Sequence, residues 1–166
     1  MRAAVRTRYG PPEAVKLAEV AVPGVGAGEV RVAVQTTTVS IRTGTRETVH
    51  DLTREAAAFV AGRGDGLLLL FVPHATAGLA LMELGSGSET DLLTTLRELL
   101  PPNRRWRHTH GSPGHGRTHV LPAFVTPSLT VPVENGGLQL GTWQSVALVD
   151  LNVDNADRQV RLSFLG

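Results

Sequence analysis

The sequence predicts an α+β fold with its helices covering a largely antiparallel sheet. Two segments carry apolar residues at helical spacing. The run Gly66-Leu67-Leu68-Leu69-Leu70-Phe71-Val72 has strand length and sits between glycine and proline, and the last forty residues alternate between β-rich runs and polar turns. The resulting order is strands, helix, strands, helix, then several strands, which lacks the regular strand–helix alternation of a parallel sheet.

The first 33 residues read as short strands around Tyr9-Gly10-Pro11-Pro12 and Pro23-Gly24-Val25-Gly26, with alternation over Glu29–Val34 predicting a half-buried strand. Thr36 to Ile41 is β-branched and strand-like. Asp51 is placed to cap a helix whose Leu52, Ala56, Phe59 and Val60 share a face, ended by Gly62 and Gly64. The Gly66–Val72 run is expected as a central strand. A second helix should begin at Ser88, where Ser88-Glu89-Thr90-Asp91 has capping-box form. Leu92, Leu93, Leu96, Leu99 and Leu100 give it an apolar face before Pro101-Pro102 stops it. Residues 103–118 are polar, glycine-rich and long for a connection, and loops of that length are usually functional. Strands follow at Ser128–Val133, Leu138–Leu140, Trp143–Leu151 and Gln159–Phe164, with a turn at Glu134-Asn135-Gly136-Gly137.

Composition narrows the chemistry. The 166 residues are 42% hydrophobic, enough for one good core, and sixteen Lys+Arg against fifteen Asp+Glu leave a net charge of +1. No global field draws the chain to nucleic acid or to a membrane surface, although a phosphate-sized ligand stays compatible. Cysteine is absent, so a disulfide framework, a thiolate metal site and a cysteine nucleophile are excluded, and a metal would have to take His, Asp or Glu. Without a signal-like segment at Met1–Arg6 or a long apolar stretch, the expected location is soluble and cytoplasmic.

Histidines therefore stand out. His74 follows the buried run at the bend marked by Pro73, where a side chain can be aimed at a pocket or can serve as a satisfied structural histidine. His108 and His119 are eleven positions apart, so joint use requires the loop to fold back; His110 and His115 lie between them. Glu83 ends a strand and Asp91 lies in the first turn of the second helix, where a carboxylate also complements the helix dipole. Arg104, Arg105 and Arg117 offer guanidinium groups suited to phosphate. In Gly141-Thr142-Trp143-Gln144, the tryptophan is expected to pack one face of the sheet. Asp150 and Arg158 could form a hairpin pair or place opposite charges at a pocket.

Two resemblances follow from these motifs. Met1-Arg2-Ala3-Ala4-Val5 and Tyr9-Gly10-Pro11-Pro12-Glu13 resemble the opening of medium-chain alcohol dehydrogenases and quinone reductases, which makes residues 1–33 an extension, a fused fragment or extra hairpin. No later glycine fingerprint supports nicotinamide binding. Residues 34–166 resemble the YjbQ-like family, often described as secondary thiamine-phosphate synthases. The resemblance runs through His74-Ala75-Thr76-Ala77-Gly78-Leu79, Met82-Glu83, Asp91, Trp106-Arg107-His108, Thr118-His119, Gly141 to Gln144, Asp150 and Arg158. It implies a β-sandwich of mostly antiparallel strands with two main helices, and a homotrimer whose histidines gather near subunit contacts around a divalent metal, zinc or magnesium. It also implies coupling of an aminopyrimidine diphosphate to a thiazole phosphate with release of pyrophosphate. On that reading His74, His108 and His119 hold or orient the metal and phosphate, Arg158 meets phosphate oxygens, and Asp91 or Glu83 assists. A phosphate-ester hydrolase and a non-catalytic ligand-binding trimer are the alternatives. The chain departs from the family pattern at Met82, in place of a polar amide, and at Trp106, in place of a phenol. Ala156-Asp157 stands where Gly-Pro usually precedes the arginine.

Overall fold

The computed structural model describes residues 1–6 and 8–166. They form two compact units, Met1–Val32 and Ala33–Gly166.

In the first unit β1 (Arg2–Arg6) pairs antiparallel with β2 (Val15–Glu19), with Ala4 opposite Leu17. The strand predicted over Glu29–Val34 does not form. Residues 29–32 are exposed and lie outside any ladder, so alternation alone finds nothing to bury; pairing resumes at Ala33, which exchanges backbone hydrogen bonds with Gly166, and β3 follows from Val34.

The second unit packs two antiparallel sheets face to face. The larger sheet has the order β3-β10-β5-β7-β8, from β3 (Val34–Arg42), β5 (Gly66–Phe71), β7 (Ser128–Glu134), β8 (Gly137–Leu138) and β10 (Asp157–Leu165). The smaller has the order β4-β9-β6, from β4 (Thr48–Asp51), β6 (Ala77–Met82) and β9 (Ser145–Asp150). Alternation sets the inward face. Val160, Leu162 and Phe164 of β10, Leu68 and Leu70 of β5, and Val131 and Val133 of β7 meet Leu79, Val146 and Leu148 of the smaller sheet. The central position of β5 agrees with its apolar run. Only one face of it enters the core, however, and Leu67, Leu69 and Phe71 stay substantially exposed on the other. At the β7–β8 turn Asn135 and Gly136 both take positive φ, 51° and 74°, as a tight two-residue hairpin requires.

Helix α1 (Thr53–Val60) buries Ala56 and Val60, and Asp51 Oδ1 accepts the Thr53 amide at 2.8 Å, so the aspartate serves the helix start from the end of β4. Helix α2 (Ser88–Leu99) starts differently from the capping-box expectation. Gly87, at φ 103°, is its N-cap, one residue earlier than the motif implied, and the carboxylate that closes the turn is Glu89 in place of Asp91, accepting the Gly85 amide at 2.6 Å. Leu99 also departs from the expected apolar face and is 49% exposed.

The helix packs on a second core that the one-core reading did not contain. Leu96 and Leu100 meet Leu121, Val125, Val149 and Leu151, with Trp106 partly buried against them. Strand β9 is thus buried on both faces, sending Val146 and Leu148 to one core and Val149 to the other. Gly78 lets this layer close, since a Cβ there would meet the Val125 carbonyl oxygen at 2.1 Å. Among the described residues no helix is long and apolar enough to cross a membrane.

Candidate metal centre

The second core positions the long loop. Trp106 packs into it and donates its indole N–H to the Pro101 carbonyl at 3.1 Å, while Leu121 is fully buried at the other end. His108 lies two residues inside the first anchor and His119 two residues inside the second. Fixing both anchors on one apolar surface folds the loop back on itself and brings the two imidazoles to a centroid distance of 4.2 Å. Gly116 permits the approach, because a Cβ at that position would lie 2.6 Å from the His108 carbonyl oxygen and 2.8 Å from the Trp106 Cβ. The departure at Trp106 therefore has a structural use: the indole is an apolar anchor that still satisfies its donor.

His110 and His115 complete the group. One ring nitrogen from each of His108, His110, His115 and His119 lies within 4.8 Å of all the others. Nε2 of His108 is 3.2 Å from Nε2 of His110, and Nε2 of His115 is 3.0 Å from Nε2 of His119. Nitrogens bound tetrahedrally to zinc at about 2.0–2.1 Å stand roughly 3.3 Å apart, so modest side-chain adjustment would bring this set to a coordinating arrangement. Desolvation, and then the mutual repulsion of neighbouring imidazoles, holds His108 and His119 below the ordinary histidine value of 6.5. Both favour the neutral ring a metal needs.

His115 is the most enclosed of the four. Its Nδ1 is 2.5 Å from Oδ2 of Asp154, and the same carboxylate accepts the Ser112 amide at 3.1 Å. That amide, assisted by the contact with His115, keeps the Asp154 carboxyl below its ordinary range. Beside the imidazoles lies a cleft of about 320 Å³ lined by Arg104, Trp106, His108, His110, Ser112 and His115, among others. Arg104 stacks its guanidinium 5.3 Å from the Trp106 ring centroid.

The other residues singled out from sequence lie elsewhere. His74 is not part of the four-imidazole group. Its Nε2 accepts the Gln159 amide at 2.9 Å, and burial, then the positive charge of Arg158, lowers its proton affinity. Arg158 is 1% exposed and faces Asp150, which is fully buried: Nε lies 2.8 Å from Oδ2, and Nη2 donates to Oδ1 at 3.0 Å. The two charges do pair, but across the two sheets and not within a hairpin, because β9 and β10 lie in different sheets. Arg117 is buried too, paired with Glu47 and donating to the Leu100 carbonyl at 3.0 Å. Glu83 and Asp91 are exposed, at the end of β6 and in the first turn of α2. Trp143 does not pack a sheet face. It stands 73% exposed in a turn closed by the Gly141 amide donating to Gln144 Oε1 at 2.8 Å, because β9 starts only at Ser145. Asp154 carried no sequence signal, since its link to His115 spans 39 positions and depends on the turn after β9.

Comparison with known proteins places these features in a family. The model of the UPF0047 protein YjbQ-like family matches residues 21–166. A UPF0047 protein of Mycobacterium bovis is 58% identical over 120 residues, covering 72% of this chain and 93% of its own length. The UPF0047 protein YugU of Bacillus subtilis is 36% identical over 114 residues, 66% of this chain and 83% of its own length. Among crystal structures, a YbjQ-like protein of unknown function from Sulfolobus solfataricus superposes with a TM-score of 0.75 at 27% identity, covering 82% of this chain and 99% of its own. A hypothetical protein from Aeropyrum pernix gives 0.72 at 30% identity, covering 80% and 98%.

Proposed function

We propose that this chain, which belongs to the YjbQ-like UPF0047 family, is a metal-dependent enzyme acting on a phosphorylated small molecule at the cleft beside His108, His110, His115 and His119. The observation that carries this reading is the convergence of four imidazole nitrogens within 4.8 Å next to a cleft with Arg104 in its wall. An all-nitrogen donor set suits zinc and its transition-metal neighbours, whereas magnesium prefers six oxygens. Of zinc and magnesium, zinc is the choice these residues favour. When bound, such an ion would supply Lewis-acid stabilisation of negative charge on a phosphate or diphosphate oxygen.

The reaction we assign is the one the family resemblance implies. A thiazole-phosphate nitrogen forms a C–N bond to the methylene carbon of an aminopyrimidine diphosphate as the C–O bond to the diphosphate breaks, giving thiamine phosphate and pyrophosphate. In this assignment Arg104 meets phosphate oxygens from the cleft wall, and Trp106 supplies an apolar edge. His74 and Arg158, by their contacts, hold the turn that follows β9 and the start of β10, and among the described residues Glu83 and Asp91 lie outside the four-histidine group.

The homotrimer expectation has support from the outer face of the larger sheet. Val34, Leu67, Leu69 and Phe71 are 60, 45, 36 and 38% exposed there, an apolar stripe a second copy could cover. The test is formation of thiamine phosphate from the two precursors with added zinc, comparing the chain with a His108→Ala, His119→Ala double variant. Product that depends on the two histidines supports the assignment. Equal product from both proteins refutes it, and phosphate release from simple esters without the thiazole would reassign the site to hydrolysis.

A further inference from the structure

We infer that Asp154 is a positioning residue of the four-histidine site, fixing the His115 ring so that Nε2 is presented to a bound transition-metal ion. The inference rests on the metal reading above and names a residue no motif contains. The Asp154 carboxylate oxygen, 2.5 Å away, is the polar atom set against the buried Nδ1, which has no other hydrogen-bond partner among the described residues; in the neutral ring it favours the tautomer with the proton on Nδ1 and the lone pair on Nε2. That Nε2 is the atom 3.0 Å from Nε2 of His119, so the carboxylate and the cluster sit on opposite sides of one ring. Ligand histidines held from behind by a carboxylate are the usual means by which proteins set ring orientation and raise ligand basicity.

The surroundings fix the carboxylate as firmly as it fixes the ring. Oδ2 also accepts the Ser112 amide at 3.1 Å, and Gly111, at φ 83°, packs so closely that a Cβ on it would lie 2.7 Å from that oxygen and 2.7 Å from the His115 Cγ. From the other direction, Asp154 is set by a chain of side-chain-to-amide bonds. Its amide donates to Asn152 Oδ1 at 2.8 Å, and the Asn152 amide donates to Asp150 Oδ1 at 2.9 Å. Asp150 is held in turn by Arg158 and by the Thr43 hydroxyl at 2.9 Å. The buried ion pair thus positions the turn, the turn positions Asp154, and Asp154 positions His115.

The experiment measures zinc affinity by competition with a chromophoric chelator, and the visible absorption bands of the cobalt-loaded protein, for the full chain and for Asp154→Asn and Asp154→Ala. Metal-free melting temperatures serve as the fold control. We expect zinc affinity to drop about 10- to 100-fold in both variants, with altered cobalt bands and an unchanged metal-free melt. Affinities within threefold of the parent, with the same cobalt spectrum, would overturn the inference while leaving the metal site standing. A lowered metal-free melt that accounts for the affinity loss would make Asp154 merely structural and overturn it too. If the parent chain binds neither ion, the metal reading itself fails.

Discussion

Replacing Arg158 with methionine should cost this protein about 3 kcal/mol of stability. The guanidinium is 1% exposed and makes a two-point contact with Asp150, itself fully buried. Methionine fills much of the same volume but leaves the carboxylate charged and without a counter-ion. Breaking one side of a buried pair typically costs about 3–5 kcal/mol, because the remaining charge cannot regain its hydration. Two donors stay with Asp150, the Thr43 hydroxyl and the Asn152 amide, each at 2.9 Å, which argues for the lower end of that range. For a domain of this size the loss corresponds to roughly 10 °C in melting temperature. Urea unfolding followed by far-ultraviolet circular dichroism at pH 7, with chelator present, measures it. In an Asp150→Leu, Arg158→Met double variant the charge is gone as well, and stability should recover most of the loss. A single variant within 1 kcal/mol of the parent, or a double variant no better than the single, would refute the reasoning and free Arg158 for a role at phosphate.

Other expectations concern the loop and the N-terminal unit. Gly116→Ala should push the His108 segment of the loop away from the rest of the cluster and lower zinc affinity at least tenfold by chelator competition, since its Cβ would lie 2.6 Å from the His108 carbonyl. His108 and His119 have folded values below 6.5, so the unfolded chain takes up protons first as pH falls. The contribution of these two histidines to stability should be fully present above pH 6.5 and be lost as pH drops from there through their lower folded values, and their part in zinc affinity should decline only as pH falls through those folded values. Metal-free melting curves and zinc titrations between pH 5 and 8 check both. Deleting residues 1–32 should leave the melting temperature of the remainder within a few degrees, because the rest, Ala33–Gly166, is a compact unit with its own cores.

Much of the fold was legible because it is carried by local pattern. The continuous apolar run at 66–72, the Asp51 start and the Asn135-Gly136 turn each have a short-range cause, and each appears where it was expected. Glu29–Val34 shows the limit, since alternation predicts a strand only if a partner exists to pair with it. The site was partly legible. Sequence could single out His108 and His119, but their meeting depends on Trp106 and Leu121 sharing one apolar surface, and that surface is built by α2 and β9 from distant parts of the chain. The same long-range dependence hid Asp154 and turned Arg158 inward to Asp150. His74 has the neighbours of a family motif, yet its ring is engaged by the Gln159 amide, a contact that arises only once β10 lies alongside the turn.

The most direct test of the account is calorimetric titration of the metal-free chain with zinc and, separately, with magnesium, alongside the His108→Ala, His119→Ala double variant. The expected result is one tight zinc site per chain, no comparable magnesium binding, and loss of the zinc site in the variant. Zinc binding that survives removal of both histidines, or no zinc binding by the parent chain, would contradict it.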